Sequence, residues 1–362
     1  MATSIHNFNA GPAALSKSVL EQVQHDLLDF DGSGMSILEM SHRSATYEAV
    51  HHQAIADLRT LLNCSDDYAI LLMGGGAQTQ FALVAMNLLR PGTHADYLVT
   101  GQWSEAALRE AQKIGDARAA WSGASSQYSR IPLPHDYDID PTASYLHYTS
   151  NNTIVGTQFS LVPEAGDVPL VCDMSSDILS QPIDVSPFGL IYAGAQKNAG
   201  PAGVTLVIIR RNLLERSPAS TPSTLSYADM SAKHSLLNTP PVFAIYIVGL
   251  VARHLIDAGG LAAMADRNAE KATRLYAALD TSNGFYQACA HLHSRSLMNV
   301  TFRLPTRELE TQFVSESEAA GFVGLQGHRS VGGIRVSLYN AITIDSVQAL
   351  VDFMAGFRQR WG

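Results

Sequence analysis

From Tyr68 onward the chain alternates apolar runs of strand length with longer stretches of helical period. YAILLM is followed by three glycines and the helical AQTQFALVAMNLL. RPG then stops that helix and ADYLVTG supplies the next strand. SYLHYTS, VPLVCD, LIYAGA and VTLVIIR continue the series, with spacers long enough for crossovers or turns. Strands joined by helix-length connections pair in parallel, and a parallel sheet is covered by helices on its faces. The pattern therefore predicts an α/β fold whose large domain is built on a mostly parallel sheet flanked by helices.

Flanking segments extend this frame. VLEQVQHDLLDF after Ser18 reads as a helix that DGSG, at 31–34, interrupts. FAIYIVGLVARHLIDAGG starts just after Pro240-Pro241, ends at a glycine pair, and is expected to carry the chain out of the large domain. Beyond it come a helical stretch from Leu261 to Leu279 and strands in LMNVTFRL and GIRVSLY. A last helix places Val347, Leu350, Val351, Met354 and Phe357 on one face, with Thr343 as its N-cap. The expected division is a large domain over 1–255 and a smaller α+β domain over 256–362.

Composition narrows the function classes. Hydrophobic residues make up 46% and DEKR only 16%, which suits a large apolar interior and excludes a disordered chain. Lys and Arg number 24 against 33 Asp and Glu, a net charge of −9 with no basic run, so no nucleic acid partner is expected. Cys64, Cys172 and Cys289 are odd in number and widely spaced, which points to a reducing compartment and to no metal site. MATSIHNFNAGPAAL has no basic start followed by a long apolar run, and the apolar stretches are strand-sized. A cytoplasmic globule of enzyme size, without a membrane partner, is the expectation.

Three features carry chemistry. Gly74, Gly75 and Gly76 lie between a strand and a helix, where exposed amides and a helix start can cradle a phosphate. The turn is neither GxGxxG nor a Walker A loop, and alone it is as compatible with a plain tight turn. Asp173 ends the strand VPLVCD at the carboxyl edge of the sheet, where open α/β folds bind ligands, although a lone Asp there can simply cap a turn. Lys197, in LIYAGAQKNAGPAG, is the one lysine of five enclosed by apolar strands; Lys17, Lys113, Lys233 and Lys271 are expected to face solvent, as are His51 and His52. Burial favours the neutral, nucleophilic amine that forms an imine with a carbonyl. An Asp for a pyridinium nitrogen, a Lys for an imine and a glycine cradle for a phosphate together describe a pyridoxal phosphate site.

A second group suits an anionic substrate. MSHRS sets His42 beside Arg43, and GHRSVGGIR gathers His328, Arg329 and Arg335. Arginine's planar fork matches carboxylates, and clustered His and Arg match a phosphate dianion. A lone arginine is as readily a surface ion pair; a cluster in glycine-rich loops of a chain poor in cations is less so.

At this point the sequence resembles a known family. NFNAGPAAL, SILEMSHRS, GGGAQTQFALVAMNLL, DYLVTGQWSEAA, HYTSNNTIVGTQF, CDMSSDILSQPIDV, GLIYAGAQKNAGPAGVTLVIIR, NTPPVFAIY and GHRSVGGIRVSLYNA occur in the order found in phosphoserine aminotransferases. These belong to the class V aminotransferases of the aspartate-aminotransferase-like superfamily. The resemblance implies the type I pyridoxal phosphate transferase fold, with a seven-stranded sheet, and pyridoxal 5'-phosphate as cofactor. It implies that Lys197 forms the imine and shuttles the proton between the α-carbon and C4′, and that Asp173 keeps the pyridine nitrogen protonated. Trp103 is implied to stack on the ring and Thr153 to bond its phenolic oxygen. Gly76, Ala77 and Gln196 are implied at the phosphate, with Asn238 and Thr239 arriving from the partner of an obligate homodimer.

By the same resemblance Arg335 holds the substrate α-carboxylate. His42 and Arg43 of the other subunit, with His328 and Arg329, take the distal phosphate or the glutamate side-chain carboxylate. The implied reaction moves an amino group from L-glutamate to 3-phosphohydroxypyruvate, giving O-phosphoserine and 2-oxoglutarate, with activity toward 3-hydroxy-2-oxo-4-phosphooxybutanoate also implied. Two positions depart from the family pattern: Gly74 in place of a Gln, and ARHL, at 252–255, where a Trp is usual. Three rival readings frame the expectation. A cysteine desulfurase needs a reactive Cys, which no motif marks; an aminotransferase of unphosphorylated substrates does not need two His-Arg pairs; a catalytically retired homologue would have lost Lys197, Asp173 or Arg335.

Overall fold

The computed structural model describes residues 5–362. In chain order its strands are β1 (His6–Asn7), β2 (Tyr68–Gly74), β3 (Ala95–Val99), β4 (Ala117–Ser122), β5 (Leu146–Thr149), β6 (Asn151–Asn152) and β7 (Thr157–Gln158). They continue with β8 (Leu170–Asp173), β9 (Phe188–Gly194), β10 (Val204–Arg210), β11 (Gln287–Ala288), β12 (Asn299–Arg303), β13 (Phe322–Val323) and β14 (Ile334–Ser337). The helices are α1 (Lys17–Asp26), α2 (Ala45–Leu61), α3 (Ala77–Leu88), α4 (Gln102–Ile114) and α5 (Arg211–Leu214), then α6 (Tyr227–Ala232), α7 (Val242–Asp257), α8 (Gly260–Asp280), α9 (Arg307–Ala319) and α10 (Ile344–Trp361).

Seven strands form the central sheet in the order β2-β10-β9-β8-β5-β3-β4. Only β10 runs antiparallel to its neighbours, so the other six point the same way and their carboxyl ends share one edge. The inner strands are buried along their length because both faces are covered. One face packs Ile70, Leu72, Leu146, Cys172, Ile191 and Leu206 against α2 and α7; the other packs Leu71, Tyr97, Val171, Tyr192 and Val207 against α3, α4 and α6. The alternation of neighbouring residues between two clusters is the period-2 geometry of a strand.

A three-stranded antiparallel sheet, β11-β12-β14, packs with α8, α9 and α10 in a separate apolar cluster. Phe8 sits in this cluster, and β1 pairs in parallel with β13, so the N-terminal segment is tied to the C-terminal part of the chain. Thr343 caps α10 by accepting from the Ser346 amide at 3.1 Å, and Val347, Leu350, Met354 and Phe357 form its buried stripe. Among the described residues no single helix is long and apolar enough to cross a membrane.

Two side chains expected at the surface are buried. Lys271 is 1% exposed on α8, and its ammonium donates to the carbonyls of Leu338 and Tyr339, both at 2.8 Å. His51 is fully buried on α2, with Nε2 2.8 Å from the His234 carbonyl, and burial lowers its pKa to about 4. Each lies on the helical stripe that turns inward, Tyr47, His51, Ala54 and Leu58 in α2 and Met264, Asn268, Lys271 and Leu275 in α8. The departures from the family pattern find ordinary partners. Arg253 Nη2 meets Asp57 Oδ1 at 2.6 Å, His254 Nδ1 lies 3.2 Å from Ser18 Oγ, and a Cβ at Gly74 would only touch Pro241 at 3.9 Å.

Candidate active site

The carboxyl edge of the sheet opens into a cavity of about 450 Å³ whose lining includes Gly76, Ala77, Trp103, Thr153, Asp173, Gln196, Lys197, His328 and Arg335. Each arrives on its own element. Gly76 is the N-cap of α3, and Ala77 its first residue, so first-turn amides without intrahelical partners face this region. Gly75 has φ +108, a conformation that favours glycine, and a Cβ on Gly76 would meet nothing within 4 Å, so the turn leaves open space over those amides. Trp103 sits in the first turn of α4, and Thr153 in the turn between β6 and β7. Asp173 ends β8 and Lys197 follows β9 by three residues.

Lys197 Nζ donates to Thr153 Oγ1 at 2.7 Å and to Ser176 Oγ at 2.8 Å, and these two hydroxyls are 2.6 Å apart. Burial lowers the amine's pKa to about 8, against the pull of Asp173, which favours the ammonium. Asp173 itself is held above the usual carboxylate range by burial, opposed by Ser175 and Lys197. Its Oδ1 accepts from the Ser175 amide at 3.0 Å and hydroxyl at 2.6 Å, and Ser175 Oγ in turn accepts from the Gly194 amide at 3.0 Å. Both bonds to the carboxylate fall on Oδ1, leaving Oδ2 for a ligand in the cavity that Asp173 lines. Beside it Thr149, at the end of β5, is 3% exposed and lines the same cavity with a hydroxyl that has no hydrogen-bond partner. A buried hydroxyl without a partner is costly, and a polar ligand in this space removes that cost.

The far wall comes from the C-terminal part of the chain. Arg335, on β14, has a buried Nε without a partner, and burial lowers its pKa. His328 opens the loop 327–333. The Ser330 amide donates to its Nδ1 at 3.3 Å, and Ser330 Oγ lies 2.7 Å from the same atom. Ser330 Oγ also accepts from Gln102 Nε2 at 2.5 Å. A ring nitrogen that accepts from an amide carries no proton, so the proton of neutral His328 sits on Nε2 as a donor. Burial, then Arg335 and Arg329, lower the His328 pKa and keep the ring neutral.

Five residues of the expected set lie elsewhere. Arg329 lines a neighbouring surface cavity of about 540 Å³ together with Arg303 and Arg307. His42, Arg43, Asn238 and Thr239 are not among the lining of the cavity around Lys197; Arg43, Asn238 and Thr239 are exposed, and His42 is partly so. The sequence reading missed Ser176, Thr149, Gln102 and Ser330. Ser176, one residue from a bonding partner of Asp173 in CDMSSD, was open to view as a hydroxyl beside the lysine; nothing local marks the others.

A part-buried lysine with a lowered pKa, a carboxylate at the adjacent strand end and a helix start opposite them define a site for imine chemistry on a phosphorylated aldehyde. Comparison with known proteins agrees. The aminotransferase class-V family model matches residues 5–350, and the chain belongs to that family.

Within it the chain falls among the phosphoserine aminotransferases. It is 53% identical over 363 residues to that of Desulfatibacillum aliphaticivorans, covering all of both chains. Among solved structures it is similar to the phosphoserine aminotransferase of Bacillus circulans subsp. alkalophilus, at 50% identity and TM-score 0.97, covering 99% of each chain. A pyridoxal phosphate-bound phosphoserine aminotransferase from Trichomonas vaginalis is 35% identical with TM-score 0.92, over 97% of this chain and 99% of that one.

Proposed function

We infer that this chain is a pyridoxal phosphate enzyme that transfers the amino group of L-glutamate to 3-phosphohydroxypyruvate, giving O-phospho-L-serine and 2-oxoglutarate in serine biosynthesis. The observation that carries the reading is the Lys197 amine, held by Thr153 and Ser176 within reach of the Asp173 field, in a chain about half identical to phosphoserine aminotransferases along its whole length. The residues fit the cofactor: Oδ2 of Asp173 is free, the Thr149 hydroxyl lacks a partner, and Gly76 leaves room above the start of α3. Pyridoxal phosphate, when bound, supplies a carbonyl for the amine and a ring that withdraws the electron pair left as an α-proton departs.

The chain's own residues do the rest. Lys197 would anchor the cofactor through its amine, and the lowered pKa of that amine suits it to take up and return the proton at the amino acid α-carbon. Asp173 holds a proton at the pyridine nitrogen. The α3 amides at Gly76 and Ala77, with Gln196, would hold the cofactor phosphate, while Trp103 and Thr153 would hold its ring and phenolic oxygen. Arg335 takes the substrate α-carboxylate in a bidentate grip. His328, through its Nε2 proton, takes the distal anion, and Arg329, beside it on the same loop but lining the neighbouring cavity in this structure, is the second donor proposed for that anion.

His42, Arg43, Asn238 and Thr239 serve the site of a second copy, so the working unit is a homodimer with shared active sites. Their position away from their own chain's cavity supports this, as do the exposed Leu20, Leu28, Met35 and Leu38 in the segment leading to His42. The same pocket suits 3-hydroxy-2-oxo-4-phosphooxybutanoate, the acceptor that would place the enzyme in pyridoxine synthesis as well. Three cysteines, all unpaired, support a reducing compartment such as the cytoplasm. Supplying the purified holoenzyme with glutamate and 3-phosphohydroxypyruvate should yield O-phosphoserine and 2-oxoglutarate in equal amounts, and Lys197→Ala should yield neither at a measurable rate. Turnover by Lys197→Ala at the wild-type rate would remove the lysine from the proton transfer.

A further inference from the structure

The loop 327–333, which carries His328 and Arg329, has no regular structure of its own, yet its shape is closely fixed. Gln326 bridges Ile334, the Gly327 amide donates to Gly333 O at 2.8 Å, and the amides of Val331 and Gly332 both donate to His328 O, at 2.9 and 2.8 Å. Gly332 and Gly333 are consecutive left-handed residues at φ +70 and +73. A Cβ on Gly327 would lie 2.0 Å from Gly332 O, so the two sides of the loop close on each other.

Behind this loop stands Arg303, the last residue of β12. Its Nη1 donates to Val331 O at 2.6 Å, and a Cβ on Gly333 would come within 2.9 Å of its Cδ. The guanidinium is oriented from the other side by Glu310 of α9, whose Oε1 meets Arg303 Nε at 2.7 Å and also accepts from the Leu304 amide at 3.4 Å. Glu310 is 8% exposed, so the pair is shielded on the carboxylate side. Arg303 thus uses one edge of its fork on Glu310 and the other on the loop backbone, a division that lysine cannot reproduce.

We propose that Arg303, oriented by Glu310, is a positioning residue for distal-anion recognition: it braces the loop at Val331 and so sets where His328 and Arg329 present their donors. The proposal rests on the reading of these two side chains as the distal-anion grip. A displacement of about 1 Å at such a grip costs up to roughly a hundredfold in efficiency, and only toward substrates that use it. Arg303 does not touch the substrate; it acts through the loop.

The experiment compares kcat/KM for 3-phosphohydroxypyruvate with that for unphosphorylated hydroxypyruvate, glutamate being the donor, in holoenzyme of wild type, Arg303→Met, Arg303→Lys and Glu310→Gln. Wild type should prefer the phosphorylated acid. Arg303→Met should lose at least about tenfold of that preference through KM, with hydroxypyruvate turnover and pyridoxal phosphate affinity unchanged. Arg303→Lys and Glu310→Gln should fall between the two, and Glu310→Gln keeps the test alive if Arg303→Met does not fold. A wild type without preference would overturn the distal-anion reading and this proposal with it. A wild type with preference whose variants keep it, or whose variants lose both substrates equally, would overturn the proposal alone.

Discussion

Changing pH should switch Lys197 between two reactivities well below the range of an ordinary lysine. Burial lowers its pKa from 10.5 to about 8. At pH 7 that raises the neutral fraction from about 0.03% to about 9%, roughly a 300-fold gain in nucleophile, equivalent to about 3 kcal/mol. The neighbouring Asp173 opposes this shift, so its removal lowers the value further rather than restoring it. Trace acetylation of the apoenzyme between pH 6 and 11, quantified at Lys197 by mass spectrometry, reads the neutral fraction directly. Lys17, whose side chain is 89% exposed, gives a reference amine in the same sample. The expected midpoint for Lys197 is about 8, and Asp173→Asn should move it downward. A midpoint near 10.5, or an upward move in Asp173→Asn, would refute the assignment of burial as the dominant cause.

Two further predictions concern the scaffold. Lys271→Met leaves the Leu338 carbonyl without a donor and the Tyr339 carbonyl with only the Ile342 amide, which should cost about 2 kcal/mol net and lower the holoenzyme Tm by a few degrees. Burial lowers the Lys271 pKa to about 7 from 10.5, so the unfolded chain binds more protons between these values; the lysine's contribution to stability rises with pH from about 7 upward, and the Tm gap to Lys271→Met should widen over that window. A gap that narrows would contradict the sign. Gly156 holds φ +76 in the turn that presents Thr153, and a Cβ there would lie 2.6 Å from Thr301 Oγ1 and 2.8 Å from Asn299 O. Gly156→Ala should therefore cost roughly 2 kcal/mol or more and weaken pyridoxal phosphate binding, measured by titration of the apoenzyme; unchanged Tm and affinity would show that the turn yields freely.

What could be read in advance follows from which forces act locally. Six of the seven central strands are buried apolar runs, and their length between turn and helix signals exposes them. The seventh, β4, is an edge strand with the sequence ARAAWS, half exposed and poor in β-branched residues, so neither composition nor alternation marks it. Lys271 and His51 were misplaced because residue type was weighed above helical position; both lie on stripes whose spacing points inward. Within the site, Asp173, Lys197 and the glycine turn are legible because each sits at a strand end whose place in the fold is fixed. Ser330 and Gln102 are 228 residues apart and meet only through tertiary structure, as do Arg303 and Val331. Loop bracing of this kind has no sequence period to reveal it.

The central claim is that this site is built for an amino-group acceptor with a distal phosphate. It is tested most directly by the steady-state ratio of kcat/KM for 3-phosphohydroxypyruvate over hydroxypyruvate, measured on wild-type holoenzyme with glutamate as donor. If His328 and Arg329, with His42 and Arg43 of a second copy, form the grip proposed above, their charge-assisted bonds, each worth about 1.5–3 kcal/mol, together predict a preference of several orders of magnitude for the phosphorylated acid. Equal efficiencies would leave the aminotransferase chemistry of Lys197 standing and contradict the distal-phosphate assignment.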